Sequence, residues 1–119
     1  MHKIYFYKDA RGKEPVLDYI QSVARRKDKD SRIKANKIAD YMGYLQAEGL
    51  NSGEPYIKHL NEEIWELRPL KDRILFASWQ IDGFVFLHHF AKKTKRTPLR
   101  EIHQAKKNLK KYKELSRNG

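Results

Sequence analysis

The sequence predicts an α+β fold, in which an antiparallel β-sheet packs against two N-terminal helices and a basic C-terminal helix. Three apolar runs separated by short turns occupy residues 64–93, as in a meander of three strands. Residues 14–48 and 98–112 instead carry apolar side chains at spacings of three and four, which is typical of helices. Strands that cluster after helices, rather than alternate with them, indicate an antiparallel sheet.

The first three elements are expected to be a strand and two helices. Residues 3–8 are rich in β-formers and end in lysines, which suits a strand at a sheet edge. One apolar face at helical spacing predicts a helix over about 14–26. A second helix is expected over about 30–48, with Asp28 or Asp30 as its N-cap.

The remaining strands are delimited by turn residues. A short strand is expected over 56–60, and the meander follows it. Asp82-Gly83 is a hairpin signal because both residues tolerate positive φ. The strand over 84–90 is apolar on both faces, so it should lie centrally and be covered on both sides. Its apolar side chains are assigned to two faces, Phe84, Phe86 and Phe90 to one and Val85 and Leu87 to the other.

The last helix is expected to begin at Pro98, with Thr97 as a natural N-cap. Residues 92–117 contain 11 Lys or Arg and two Glu, so this quarter of the chain carries +9 of the total net charge of +11. A basic stripe of this density suits a polyanion, and nucleic acid is the commonest one. A solvated basic face without a specific ligand is the alternative. The apolar side of the helix consists of Ile102, Ala105, Leu109 and Tyr112.

Length and composition limit the classes of protein that fit. A chain of 119 residues suits one domain over 1–119. The sequence has no cysteine, which excludes disulfides and thiolate metal sites and agrees with a cytoplasmic location. No apolar run reaches the length of about 18–20 residues that a transmembrane helix needs.

Several cations are expected to meet near one end of the sheet. If Arg68 and Arg73 flank a four-residue loop, they lie opposite each other on one face. A two-residue turn at Asp82-Gly83 would place Arg73 opposite Lys92. One more residue in the turn, or a bulge, would bring Lys93 there instead. Such a cluster would bind an anion, and both arginine and lysine bind phosphate. The alternative is that each cation pairs locally with an acidic neighbour.

The two adjacent histidines, His88 and His89, are expected to point to opposite faces of their strand and so cannot share a metal ion. Either could act as an acid or a base, although a structural role is commoner. The 15 carboxylates show no metal-binding spacing. We therefore expect no metal site and no cofactor.

Four ordered segments of the chain resemble one family. WELR at 65–68, DR at 72–73, LHHFAKK at 87–93 and TPLREIHQA at 97–105 together resemble HigB-like toxins of the RelE/ParE superfamily, in the branch of phage-derived toxins. The resemblance covers about residues 56–112. It implies a compact toxin of a type II toxin–antitoxin system that cuts mRNA on the translating ribosome. The implied partners are the ribosome with its mRNA and a HigA-like helix-turn-helix antitoxin, with a toxin–antitoxin heterotetramer as one arrangement.

The resemblance also implies roles for individual residues in metal-free cleavage by the ribose 2′-OH. Arg73 matches the catalytic arginine of RelE-like toxins, and Lys92 and Lys93 match the basic pair that closes the third meander strand. Arg68 matches the strand-end arginine before the turn. Arg73 and Lys93 would stabilise the charge of the phosphorane.

The same resemblance also suggests residues for proton transfer and for contact with RNA. Glu66 or His89 is the candidate base, and Lys92 or Lys93 is the candidate acid. RNA contacts are expected from Lys95, Arg96, Lys106 and Lys110. Two alternatives stay open: a non-enzymatic ParE-like poison of DNA gyrase, which needs no catalytic set, and a plain basic nucleic-acid-binding module.

Overall fold

The computed structural model describes residues 1–118, and over these residues the chain forms five β-strands and three α-helices. Gly119, the last residue of the predicted domain 1–119, lies outside the described residues. The predicted α+β class and order of elements are confirmed. In chain order the elements are β1 (Lys3–Phe6), α1 (Pro15–Arg25), α2 (Lys29–Glu48), a short 3-10 helix (Gly49–Ser52), β2 (Ile57–Asn61), β3 (Ile64–Leu67), β4 (Asp72–Trp79), β5 (Gly83–Ala91) and α3 (Leu99–Asn118).

All five strands belong to one sheet in the order β1-β5-β4-β3-β2. The neighbouring pairs from β2 to β5 are antiparallel, as the meander predicts. β1 is an edge strand, as expected, and it runs parallel to β5 with Lys3 opposite Gly83. None of the helices within residues 1–118 has the length and apolar character that crossing a bilayer requires.

The sheet has a hydrophobic core on each face. On one face Val16 of α1 and Ile38 of α2 pack with Phe86 of β5. On the other face Ala105 and Leu109 of α3 pack with side chains of β3, β4 and β5. The prediction that the strand over 84–90 is covered on both sides is therefore confirmed. A sheet with two apolar faces requires helices on both sides, since each face must be removed from water.

A β-bulge in β5 reverses the faces of its last residues. The ladder between β4 and β5 shifts between Leu75 and Phe76, and Leu87 of β5 is left without a partner. Beyond the bulge, Phe90 lies on the α3 face and packs with that core. The predicted grouping of Phe90 with the other two phenylalanines of this strand is therefore wrong. An extra residue in one strand changes the side to which all later side chains point.

The loop between β4 and β5 also differs from the predicted hairpin. Trp79 pairs with Gly83, so the loop is residues 80–82 and Gly83 already belongs to the strand. Gln80 adopts the positive φ, at 56°. Loop and bulge together place Arg73 opposite Phe90. The expectation that Arg73 lies opposite Lys92 or Lys93 in the ladder is wrong, because its register assumed a different turn.

Local signals at the ends of α2 hold as predicted. The Asp28 side chain accepts a hydrogen bond of 3.0 Å from the backbone N–H of Ser31, which is the N-cap geometry. This hydrogen bond lowers the pKa of Asp28. At the other end Gly49 adopts a φ of 59°, and its N–H donates to the carbonyl of Leu45. The choice between Asp28 and Asp30 is thus decided by geometry.

Two glycines are expected to respond to alanine in opposite directions. In Gly83→Ala the new Cβ would lie 2.7 Å from the carbonyl oxygen of Lys3 and 2.8 Å from the Tyr5 ring. Because β1 must then move, we expect stability to fall by about 2 kcal/mol. Gly43→Ala, in the exposed middle of α2 with nothing within 4 Å of the added Cβ, should gain about 0.5–1 kcal/mol. Urea denaturation of both variants measures the effects, and an unchanged midpoint for Gly83→Ala would contradict the tight β1–β5 contact.

Candidate active site

A cavity of about 320 Å³ lies where β5 ends and the chain leads into α3. The α3 face of the sheet contributes side chains from β3, β4 and β5, and the rest of the wall comes from the connecting loop and the first turn of α3. The cavity is lined by Glu66, Arg73, Phe90, Ala91, Lys92, Lys93, Thr94, Lys95, Arg96, Thr97, Pro98, Arg100 and Glu101.

The lining is strongly cationic. Six of the lining side chains are lysine or arginine and two are glutamate, so the cavity carries a formal excess of four positive charges. The four cations of the loop over 92–96 are exposed, and they form no ion pair within the part of the chain that the structure describes. Charges of one sign held together around a concave surface raise the local concentration of an oppositely charged ligand. The cavity therefore suits an anion.

Glu66 joins three parts of the site through one buried carboxylate. Its side chain is 2% exposed, and its Oε1 lies 3.4 Å from Nε of Arg68 and 3.8 Å from Nε of Arg73. Both arginines thus approach the same carboxylate, as expected of residues that face each other across a turn. Oε2 accepts a hydrogen bond from the hydroxyl of Thr97. Glu66 is therefore enclosed by its partners.

The structure corrects the predicted N-cap role of Thr97. Its hydroxyl bonds to Glu66 rather than to the first turn of α3. The carbonyl of Pro98 accepts from the N–H groups of Glu101 and Ile102. The hydroxyl hydrogen goes to the carboxylate of Glu66, 31 residues away in the chain, because a hydrogen bond to a charged acceptor is stronger than one to a neutral group.

Arg73 is held rigidly in the cavity wall. It is 5% exposed, and its Nη1 donates to the carbonyl oxygens of Leu70 at 2.8 Å and Asp72 at 2.7 Å. Burial lowers the pKa of Arg73, while the nearby Glu66 opposes this shift. Since an arginine ordinarily loses its proton only far above neutral pH, the guanidinium stays charged. It is a fixed positive group beside the cavity.

Lys92 and Lys93 reach the cavity from the loop rather than from the ladder. The backbone N–H of Lys92 donates to the carbonyl of Lys71 at 2.7 Å, which holds the start of the loop beside β4. Both lysines line the cavity together with Arg73. The structure thus brings Arg73, Lys92 and Lys93 to one cavity, although not by the register that the sequence suggested. Arg68 contacts Glu66 but does not itself line the cavity.

The two histidines separate as predicted. His88 lies on the α3 side, and its Nε2 is 2.8 Å from Oε1 of Glu101. His89 lies on the other side, where its ring stacks on Tyr19 of α1 at a centroid distance of 4.4 Å. Tyr19 in turn donates to Asp72 at 2.9 Å, and burial followed by this bond raises the pKa of Tyr19 to about 12. The structure therefore does not bring His89 into the cavity.

Residues 27–110 match the family described as phage-derived protein Gp49-like (DUF891). The match spans more than two thirds of the chain. The chain belongs to this family. Gp49-like proteins are a RelE/HigB-type family of toxins in toxin–antitoxin systems, so an antitoxin is the implied partner. No curated protein matches the sequence.

The predicted RNA-binding residues of this Gp49-like protein divide between two places. Lys95 and Arg96 line the cationic cavity. Lys106 and Lys110 line a second, smaller depression of about 200 Å³ beside α3, where Lys106 lies 3.5 Å from Glu62. Part of the positive charge of α3 is thus compensated by glutamates in the β2–β3 turn.

Sequence reasoning had not assigned a role in the site to Phe90, Thr97, Arg100 or Glu101, all of which line the cavity. Three of them fall in the segment TPLREI, whose position directly after the basic loop is the signal that could have indicated them. No group of three or more His, Asp or Glu side chains suited to a metal ion occurs among the described residues. The absence of a cofactor stays a prediction.

Glu66→Gln is expected to destabilise the Gp49-like protein strongly. The amide keeps the shape of the carboxylate but leaves Arg73 buried without a counter-charge, so we expect a loss of about 3 kcal/mol. The matched control is Glu63→Gln, because Glu63 is an exposed partner of Lys113 at 2.8 Å and should cost less than about 1 kcal/mol. Urea denaturation measures both. Equal small losses would show that backbone carbonyls alone satisfy Arg73.

His89 should contribute to the pH dependence of stability. Burial, and then the neighbouring His88, lower the pKa of His89. The unfolded chain, in which a histidine titrates near pH 6.5, therefore takes up a proton at higher pH than the folded chain does. Stability is full above about pH 6.5 and is lost as the pH falls towards the folded pKa. Unfolding midpoints at pH 7.5 and 5.0 should differ less for His89→Phe, which keeps the stack on Tyr19, than for the wild type.

Proposed function

We propose that this Gp49-like protein is a HigB-type mRNA interferase, a toxin that cleaves mRNA on the translating ribosome. The observation that carries the proposal is the cavity with six cations and two carboxylates, in which the buried Arg73 lies beside lysines that form no ion pair with any described residue. A volume near 320 Å³ is at the lower end of the range of small-ligand sites and suits one nucleotide with its phosphates.

The chemistry we propose needs no metal ion. The ribose 2′-oxygen attacks the adjacent phosphorus, the phosphorane gains negative charge, and the bond to the 5′-oxygen breaks. Arg73 and Lys93 would stabilise the added charge, and the proposal is supported by the presence of both side chains in the lining of one cavity. Lys92 or Lys93 would supply the proton to the leaving oxygen.

We do not assign Glu66 as the proton acceptor in this scheme. Its side chain is 2% exposed, with Oε1 beside Arg68 and Arg73 and with Oε2 accepting from Thr97, so it is the less accessible of the two carboxylates in the wall. We assign to Glu66 the holding of Arg73, and to Arg68 the balance of its charge. His89 is left out of the catalytic set because it lies on the opposite face.

The partners in the proposal follow from charge and from the toxin family. The exposed cations Lys95, Arg96 and Lys110, together with Lys106, would contact RNA of the message and the ribosome by charge rather than by sequence. The ribosome would position the scissile bond, which compensates for a small site. The antitoxin would be a HigA-like helix-turn-helix protein, with toxin and antitoxin joined in a heterotetramer, and the toxin domain would comprise residues 1–119 in the cytoplasm.

Lys93→Ala is expected to reduce mRNA cleavage at least tenfold, and up to about 10³-fold, because one charge that stabilises the phosphorane is lost. Arg73→Lys keeps a positive charge in the wall but removes the planar guanidinium, and should also reduce cleavage. Mapping of transcript 5′ ends after brief induction in growing cells measures the effect. For the wild type we expect new ends within codons of translated messages.

Lys37→Ala is the matched control, since Lys37 is exposed on α2, on the opposite face of the sheet. It removes the same charge and should cleave like the wild type. Growth arrest without new transcript ends, accompanied by DNA damage, would replace the nuclease with a gyrase poison. Harmless expression in the absence of an antitoxin would leave only a nucleic-acid-binding module.

A further inference from the structure

The second carboxylate of the cavity is placed very differently from Glu66. Glu101 lies in the first turn of α3, lines the cavity and has a side chain that is 18% exposed. Its Oε1 is bonded to His88, whereas Oε2 has only the highly exposed Arg100 nearby, with Nε at 4.0 Å. Of the two carboxylates in the wall, Glu101 is the more accessible, at 18% exposed against 2% for Glu66, and its Oε2 forms no hydrogen bond with the described residues.

The first half of α3 is fixed against the end of β5 by buried polar contacts. Asn108, which is 6% exposed, donates from Nδ2 to the carbonyl of Leu87 at 2.8 Å, and Leu87 is the bulged residue next to His88. Gln104 donates to Oδ1 of the same asparagine at 2.9 Å. These bonds set the distance between α3 and the bulge, and therefore the distance between Glu101 and His88.

His88 is held on its other sides as well. Its ring lies nearly parallel to that of Phe90, with the centroids 6.1 Å apart and an interplanar angle of 26°. Phe90 itself lines the cavity. The imidazole is thus placed by the bulge and by Phe90, and it presents Nε2 to Glu101. His88 does not line the cavity, so it can act there only through the carboxylate that it holds.

We propose that Glu101 is the proton acceptor of the cleavage reaction and that His88 is its positioning residue. This inference rests on the proposed function, because it assigns the group that the mRNA interferase scheme still needs. The geometry that carries it is a carboxylate with one oxygen bonded to a fixed imidazole and the other open to the cationic cavity.

The step is balanced as follows. An oxygen of Glu101 takes the proton from the ribose 2′-OH, and the oxygen–hydrogen electron pair forms the new bond from the 2′-oxygen to phosphorus. The bond from phosphorus to the 5′-oxygen breaks, and the leaving oxygen takes a proton from a lysine ammonium of the cavity. The products are a 2′,3′-cyclic phosphate and a 5′-hydroxyl end. The carboxylic acid and the neutral lysine then exchange protons with water.

Glu101→Gln provides the decisive test, in single-turnover cleavage of a defined mRNA on purified translating ribosomes with the full-length protein. We expect cleavage to fall by about 10²–10⁴-fold, the usual contribution of a general base. Binding to the programmed ribosome should stay equal or become tighter, since the variant removes a negative charge from an anion site. Glu114→Gln, an exposed change of the same charge on the same helix, should leave cleavage and binding unchanged.

His88 is tested by two substitutions. His88→Gln retains an N–H donor and should cleave within a few-fold of the wild type. His88→Phe loses the bond to Glu101 and should lose about 10–100-fold in cleavage, the same order as the loss when a group that orients a metal ligand is removed. Ribosome binding and the thermal midpoint should be the same for both. If the role of His88 were purely structural, both variants would lower the thermal midpoint, and the cleavage rates of His88→Gln and His88→Phe would not differ.

The outcomes separate the two proposals. If the wild type cleaves, Arg73→Lys is impaired and Glu101→Gln cleaves at the wild-type rate, the assignment of Glu101 is wrong and the nuclease proposal survives. If Glu101→Gln loses cleavage only in proportion to lost binding, Glu101 is not the proton acceptor. If the wild type cuts no mRNA on ribosomes, both proposals fall together.

Discussion

The carboxylate of Glu66 is the interaction on which the arrangement of the site depends. It meets the guanidinium of Arg68 directly after β3, the guanidinium of Arg73 in β4, and the hydroxyl of Thr97 before α3. Removing one charge from such a buried group leaves the others unbalanced, whereas the complete set holds its members in place. The cavity is thus fixed at the sheet and at the start of α3, while the loop over 92–96 is exposed and its cations form no ion pair within residues 1–118. A fixed wall bordered by long, exposed lysine side chains suits a negatively charged ligand.

The two faces of the sheet have different roles, since one packs against α1 and α2 and the other contributes to the cavity. On the α1 and α2 side, His89, Tyr19 and Asp72 form a polar contact network that ties α1 to the end of the sheet. On the α3 side, the neighbouring residues Arg73 and Phe90 line the cavity. The bulge at Leu87 decides which histidine belongs to which side, because it changes the alternation just before them. One extra residue in a strand thus separates a structural histidine from one beside the cavity.

Local signals in the sequence predicted most of the fold. Asp28 as a cap and Gly49 as a stop depend on bonds within four residues, and the alternation of apolar side chains depends on the same stretch of chain. The register between β4 and β5 could not be predicted from local signals in the same way. The positive φ of Gln80 and the bulge at Leu87 carry no residue signature, since glycine or asparagine would be the expected residue at the first and nothing distinguishes the second.

The candidate site was predicted in composition but not in detail. A cluster containing Arg73, Lys92 and Lys93 followed from counting charges near strand ends, and the three do line one cavity. The contacts of Thr97 with Glu66 and of His88 with Glu101 join residues that are 31 and 13 positions apart. Such pairs depend on how α3 crosses the sheet, which no local pattern determines. The sequence did not show that His89 lies outside the cavity, because the bulge at Leu87 assigns it to the α1 face.

The parallel pairing of β1 with β5 has a consequence for how the protein is made. Its contacts join residues 80 positions apart, from Lys3 to Gly83, so the sheet cannot close until most of the chain has been synthesised. Thr97 and the first turn of α3 come later still, and they complete the wall beside Arg73. A nascent or prematurely terminated chain therefore lacks an assembled centre. The order of elements along the chain delays assembly of the cationic cavity until most of the described residues have been synthesised.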